Sequence, residues 1–158
     1  MVSSFKKIAD ETLQPDSFEF NKENRIKALE IMKNYPKNYV ESSIMPLLSL
    51  AQEQFGGWIP KKAMECISKF LNVSEMKVLE LATFYSMYNL SPIAENHIEI
   101  CTTTPCMLRG AEKILEKCKK KLNLSVGEYN KNKNFSLIEV ECLGACVNAP
   151  MAQINDDY

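Results

Sequence analysis

Four of the six cysteines in this 158-residue sequence fall in two short clusters, Cys101-Thr102-Thr103-Thr104-Pro105-Cys106 and Cys142-Leu143-Gly144-Ala145-Cys146. Thiolates gathered within a few ångströms repel one another unless a cation holds them, so these residues point to a metal centre. Zinc is admissible, since its cysteine pairs extend to the Cys-x4-Cys spacing. A 2Fe-2S cluster fits the Cys101/Cys106 spacing better: plant-type ferredoxins use such a pair, and each iron needs two thiolates of its own. The single histidine, His97, excludes a Rieske centre and a Cys2His2 zinc finger within one chain. A thioredoxin-like dithiol catalyst is excluded because no Cys-x-x-Cys occurs.

Composition narrows the setting. Nineteen Lys and Arg against twenty Asp and Glu give a net charge of −1 and a pI near 5.9, too balanced to attract nucleic acid nonspecifically. No apolar run approaches the roughly 20 residues of a membrane span, and Met1-Val2-Ser3-Ser4-Phe5-Lys6-Lys7 lacks the apolar stretch of a secretory signal. The expected compartment is therefore reducing, where clustered cysteines serve as ligands rather than disulfide staples. A chain of 158 residues buries enough of its surface that the core needs no such staple.

The elements that must position the cysteines can be read from hydrophobic period. Residues 1–21 show no clean period and read as an extension. Ile26, Leu29 and Met32 begin a helical pattern that Pro36 stops. A second helix, capped by Ser43 with Pro46 in its first turn, carries Ile44, Leu47, Leu48, Ala51 and Phe55 on one face and ends at Gly56-Gly57. A third opens at Pro60, buries Ala63, Ile67, Phe70 and Leu71, and ends at Asn72. A fourth, capped by Ser74, carries Val78, Leu81, Ala82 and Tyr85, widened by Met76, Leu79 and Phe84 into an arc that predicts either a place at the centre of a four-helix bundle or a face partly used against a partner subunit.

At Asn96 the period changes. His97 to Cys101 alternates as a strand, Thr104-Pro105 starts a helix with Met107, Ala111, Ile114, Leu115, Cys118 and Leu122 on its apolar face, and Ser136 to Glu141 alternates again. Lys117, Lys119, Lys120 and Lys121 suit the negative end of that helix. Two strands joined through a helix run parallel, so their carboxyl ends share one sheet edge. Cys101 and Cys142 end the strands, Cys106 lies in the first helical turn and Cys146 follows in the last loop, so the four thiols converge there. The free N–H groups at the helix start should favour a thiolate at Cys106.

The stretches Cys101 to Gly110 and Glu141-Cys142-Leu143-Gly144-Ala145-Cys146-Val147-Asn148-Ala149-Pro150 resemble the E-type 2Fe-2S subunits of respiratory NADH:quinone oxidoreductase (complex I). Gln54-Phe55-Gly56-Gly57-Trp58-Ile59-Pro60 and Ala82-Thr83-Phe84-Tyr85 extend the likeness upstream. The resemblance implies an α+β protein: an extension (1–21), a small helical bundle (22–88), and a thioredoxin-like α/β 2Fe-2S ferredoxin domain (89–158) that looks truncated, since Asn155-Asp156-Asp157-Tyr158 leads in the family into a further strand and helix. It implies Cys101, Cys106, Cys142 and Cys146 as ligands of one 2Fe-2S cluster, no catalytic residue, and a one-electron carrier in an oxidoreductase complex. FMN and NAD would be bound by a partner subunit, in keeping with five glycines that form no Gly-x-Gly-x-x-Gly. The implied partners are that flavin- and NADH-binding subunit and a neighbouring iron-sulfur subunit, on the cytoplasmic (in mitochondria, matrix) side of the inner membrane, with no nucleic acid and no direct membrane insertion. The equivalent subunit of an NAD-linked hydrogenase or formate dehydrogenase, and a zinc-stabilised interaction module, are the alternatives.

Other residues have plainer expectations. Cys66 and Cys118 lie on or beside apolar helix faces and read as buried thiols. His97 reads as an ordinary strand residue, and Trp58, beside Gly56-Gly57 and before Pro60, as a local packing plug in preference to a partner anchor. Arg109 either offsets the charge of a reduced cluster or joins a surface salt bridge.

Overall fold

A computed structural model describes residues 8–130 and 134–158. The chain forms two compact units, one ending at Pro92 and the other spanning Ile93–Tyr158. Tyr88 and Leu90 both belong to the core of the first unit, where the Leu90 carbonyl accepts the Ala9 N–H at 2.8 Å, so the division falls a few residues beyond the expected boundary after Tyr88.

The first unit contains helices α1 (Lys22–Lys33), α2 (Ile44–Gln54), α3 (Lys61–Leu71) and α4 (Glu75–Phe84). Its core joins Ile44, Leu47, Leu48 and Ala51 of α2 to Ala63 and Ile67 of α3 and to Val78 and Ala82 of α4. Within residues 1–21, whose lack of period suggested an extension, Phe18 and Phe20 are buried in this core and meet edge to face at 5.6 Å. Trp58 is buried beside Phe55, their rings 5.2 Å apart.

Several details differ from the periodic reading. On α1, Ile26 and Leu29 are 59% and 47% exposed, and the inward stripe is Asn24, Ala28, Ile31 and Met32. Polar contacts set that rotation: Asn24 Nδ2 donates to Gln54 Oε1 at 2.9 Å, while Gln54 Nε2 donates to the Glu19 carbonyl at 2.8 Å. A 3-10 segment, Lys37–Ser43, precedes α2, and Ser43 donates to the Val40 carbonyl at 2.6 Å instead of capping the helix with its side chain. Ser74 stands at the N-cap of α4 with no side-chain capping bond, and Pro60 is the N-cap of α3 rather than its first residue. Asn72 ends α3, as expected, and does so in the left-handed conformation. Helix α4 is not central: Val78 and Ala82 are buried, but Met76 and Phe84 are 70% and 77% exposed.

The second unit is a four-stranded sheet with the order β2-β3-β1-β4, made of β1 (Asn96–Cys101), β2 (Tyr129–Asn130), β3 (Phe135–Val140) and β4 (Ala152–Ile154). Strands β1 and β3 are parallel, with Cys101 opposite Val140, as the crossover requires. The edge strands β2 and β4 are antiparallel to their neighbours. Part of the Asn- and Lys-rich stretch before β3 lies outside the described residues.

The crossover is broken in two, α5 (Thr104–Leu108) and α6 (Ala111–Leu122), because Gly110 takes φ +96° and interrupts the helical path. One sheet layer, Ile98, Ile100 and Leu137, packs with Ile114, Leu115, Cys118 and Leu122 of α6. Met107, expected on that face, lies before the break and is exposed. His97 is buried, its Nδ1 2.7 Å from Ser136 Oγ, which also accepts the Ala94 N–H at 3.1 Å.

Candidate metal centre

Strand β1 delivers Cys101 to the sheet edge, where its N–H donates to the Met151 carbonyl at 3.1 Å and the Thr102 N–H donates to the Val140 carbonyl at 3.2 Å. Thr103 then turns the chain with extended backbone (φ −67°, ψ 166°), and Pro105 presets the first turn of α5. That turn carries Cys106 inward. Cys101 and Cys106 are 1% and 0% exposed, enclosed by Val140, Ala111 and the partly buried Leu143, Ala149 and Met151.

Strand β3 ends at Val140, so Cys142, expected at its last residue, stands in the loop beyond it. The loop reverses at Gly144 (φ +75°), whose N–H donates to Cys142 Sγ at 3.4 Å, and Cys146 starts a 3-10 turn, Cys146–Asn148. Both thiols are exposed and 3.9 Å apart. Two thiolates about 2.3 Å from a tetrahedral metal stand roughly 3.8 Å apart, so this pair has the bite of a shared ion. The loop is tied to the buried pair: the Cys101 thiol donates to the Glu141 carbonyl at 3.1 Å. Tyr158 Oη donates to the Leu143 carbonyl at 2.7 Å on the loop's other side.

The thiols therefore come as two pairs at one edge. Among the described residues no three His, Cys, Asp or Glu side chains gather closely enough to hold one ion. Electrostatics calls for cations. Burial pushes the Cys101 thiol up, but the Thr103 hydroxyl and N–H, the Cys106 thiol and the Leu143 N–H outweigh it and leave Cys101 below its ordinary value. Burial raises Cys106, and the thiol and charge of Cys101 raise it further. Cys146 is held up by its hydrogen bond to Cys142, by the charge of Cys142 and by burial. The start of α5 thus does not make Cys106 a thiolate, as the sequence suggested; a fully enclosed sulfur beside a second one keeps its proton.

The remaining candidates lie elsewhere. Cys66 and Cys118 are half-buried against the bundle core and the α6 layer respectively, less covered than expected. Arg109 is exposed at the break between α5 and α6 and, of the two roles weighed for it, the surface salt bridge is not formed among the described residues. Sequence reasoning missed the backbone donors, the N–H groups of Thr103, Leu143, Gly144 and Met151, that face the sulfurs. Only Gly144, a glycine between two cysteines, left a signal.

Comparison with known proteins follows the same lines. Residues 28–158 match the family described as thioredoxin-like [2Fe-2S] ferredoxin. The chain is 53% identical over 142 residues to the NADH-quinone oxidoreductase E subunit of Rickettsia bellii, covering 90% of this chain and 85% of that one. It is 50% identical over 141 residues to the mitochondrial NADH dehydrogenase [ubiquinone] flavoprotein 2 of Dictyostelium discoideum, covering 89% of this chain and 57% of the relative. Among solved structures, an NAD+-reducing [NiFe]-hydrogenase aligns with a TM-score of 0.55 at 19% identity over 70% of this chain and 19% of its own, a likeness of fold alone.

Proposed function

Because the chain belongs to the thioredoxin-like [2Fe-2S] ferredoxin family, we propose that Cys101, Cys106, Cys142 and Cys146 hold one 2Fe-2S cluster and that the chain is a one-electron carrier subunit of an NADH:quinone oxidoreductase. The carrying observation is the arrangement of four thiols in two pairs at one sheet edge, one pair enclosed and the other at the surface. The names of relatives at about half identity favour the respiratory complex over the hydrogenase, whose likeness stops at the fold.

The cluster supplies reversible one-electron storage when bound. The chain's own residues do the rest. Cys101 and Cys106, beneath Leu143, Ala149 and Met151, keep water from one side of the site. The N–H groups of Thr103, Leu143, Gly144 and Met151 direct partial positive charge at sulfur, which favours an added electron and raises the potential. Cys142 and Cys146 carry the site to the surface, where an electron can pass without a path through the fold.

FMN and NAD are bound in this reading by a partner subunit, and the isolated chain does not oxidise NADH. A neighbouring iron-sulfur subunit completes the surroundings. No helix among the described residues is long and apolar enough to cross a membrane, and the proposed place is peripheral, on the cytoplasmic or matrix face.

The test is iron and acid-labile sulfide analysis of anaerobically purified chain, followed by addition of NADH to the chain alone and to the chain with its flavin-bearing partner. Equal iron and sulfide, with bleaching only in the pair, is expected. Stoichiometric zinc without sulfide, or rapid bleaching of the flavin-free chain, would reject the assignment.

A further inference from the structure

The four thiols differ in access. Cys101 and Cys106 are closed off in their cluster of side chains, whereas Cys142 and Cys146 are exposed on a loop, sulfurs 3.9 Å apart. No helix or strand lies between Cys142 and Cys146, and a Cβ placed on the intervening Gly144 would meet nothing within 4 Å. A disulfide needs its sulfurs about 2.05 Å apart, a closure of roughly 2 Å that a short loop with open space around its turn can absorb.

We propose that Cys142 and Cys146 form a reversible disulfide when the cluster-free chain meets a peroxide, and that this bond must be reduced before a cluster can be loaded. The bond itself stands on the geometry of the loop; its consequence for loading rests on the function proposed above.

The chemistry balances with hydrogen peroxide as oxidant. One thiolate of the pair attacks the peroxide O–O bond, which breaks; sulfur gains a hydroxyl as sulfenic acid and hydroxide leaves. The second thiol attacks that sulfur, the S–S bond forms, the S–O bond breaks and water departs. Together the two thiols lose two electrons and two protons, and the peroxide becomes two waters. A dithiol reductant reverses the bond by exchange, itself becoming a cyclic disulfide. Access decides which pair reacts: peroxide reaches the loop, while Cys101 and Cys106 lack a solvent-facing sulfur. The bond would also divert the exposed pair from irreversible sulfinic and sulfonic acids.

The sequence separates the pairs for measurement. After Lys133 there is no Lys or Arg, so trypsin leaves Cys142 and Cys146 together in residues 134–158; Cys101 and Cys106 fall together in residues 78–109. The full chain, stripped of iron and sulfide under argon, is treated with one equivalent of hydrogen peroxide, alkylated, digested and weighed, with far-ultraviolet circular dichroism recorded alongside. The expected result is a 134–158 peptide lighter by two hydrogens and closed to alkylation, a 78–109 peptide with both thiols intact, and restoration of the first by dithiothreitol. Loading by iron and sulfide without reductant should fall about tenfold and recover after dithiothreitol. In the Cys146→Ser variant, Cys142 should instead give a sulfenic acid trapped by dimedone. Oxidation of all six cysteines alike, links between the two peptides, sulfinic acid without a disulfide, or unchanged loading of the disulfide form would each overturn the proposal. Iron and sulfide stoichiometry of the anaerobic chain tests the cluster separately, so either reading can fail alone.

Discussion

The backbone N–H of Gly144 donates to Cys142 Sγ across 3.4 Å from a left-handed backbone conformation, φ +75°. A side chain at Gly144 would find open space, so an alanine there meets only backbone strain. Gly144→Ala should cost about 1–2 kcal/mol in urea unfolding and, if the loop relaxes away from φ > 0, lengthen this bond. A weaker N–H···S bond lowers the cluster's potential, which a redox titration followed by electron-spin resonance would detect. An unchanged potential with unchanged stability would show that the turn does not orient the donor.

Removing ligands should divide the cysteines four against two. Ala at Cys101, Cys106, Cys142 or Cys146 should abolish or severely perturb the chromophore, because each takes one of four ligands. Cys66→Ala and Cys118→Ala, half-buried against the bundle core and the α6 layer respectively, should leave it intact. Visible spectra of the six variants check this, and loss of the chromophore in folded Cys118→Ala would mean the ligands are misassigned.

Cluster loading should become more favourable as pH rises. Cys106 and Cys146 sit above their ordinary values, so in the cluster-free chain they keep their protons to higher pH and must lose them when a metal binds. Raising the pH removes that competition; lowering it promotes release. Proton release on anaerobic reconstitution, followed with a pH indicator, measures the effect, and loading that grows weaker with increasing pH would contradict it.

Ser136 joins β3 to His97 of β1 and also receives the Ala94 N–H, all among buried atoms. Ser136→Ala leaves both groups without this partner and should destabilise the chain by about 2 kcal/mol, while Ser136→Thr should recover part of the loss. Chemical denaturation decides between this and a neutral substitution.

In the bundle, Leu47→Ala opens a cavity at a fully buried position and should cost about 2–5 kcal/mol. Phe84→Ala, on the outer side of α4, should cost about 1 kcal/mol or less, since Phe84 is 77% exposed and meets Tyr85 edge to face at 5.0 Å. Equal losses in thermal unfolding would show that α4 lies deeper than its exposure indicates.

Parallel pairing of β1 with β3 was legible from the sequence because alternation, helix and alternation leave a short crossover little choice, and with it came the gathering of Cys101, Cys106, Cys142 and Cys146 at one edge. The end of α3 at Asn72 was equally readable, since its reason is local. Tertiary structure decided what depended on remote partners. Gln54 turned α1 so that Asn24 faces inward and Ile26 outward, a polar choice that apolar period cannot register. Gly110 broke the crossover helix where apolar residues ran on through the break. The enclosure of Cys101 and Cys106 beside an open Cys142 and Cys146 came from Leu143, Ala149 and Met151 closing over one pair only. Cysteine spacing sets which thiols can meet; solvent access depends on what the chain beyond them covers.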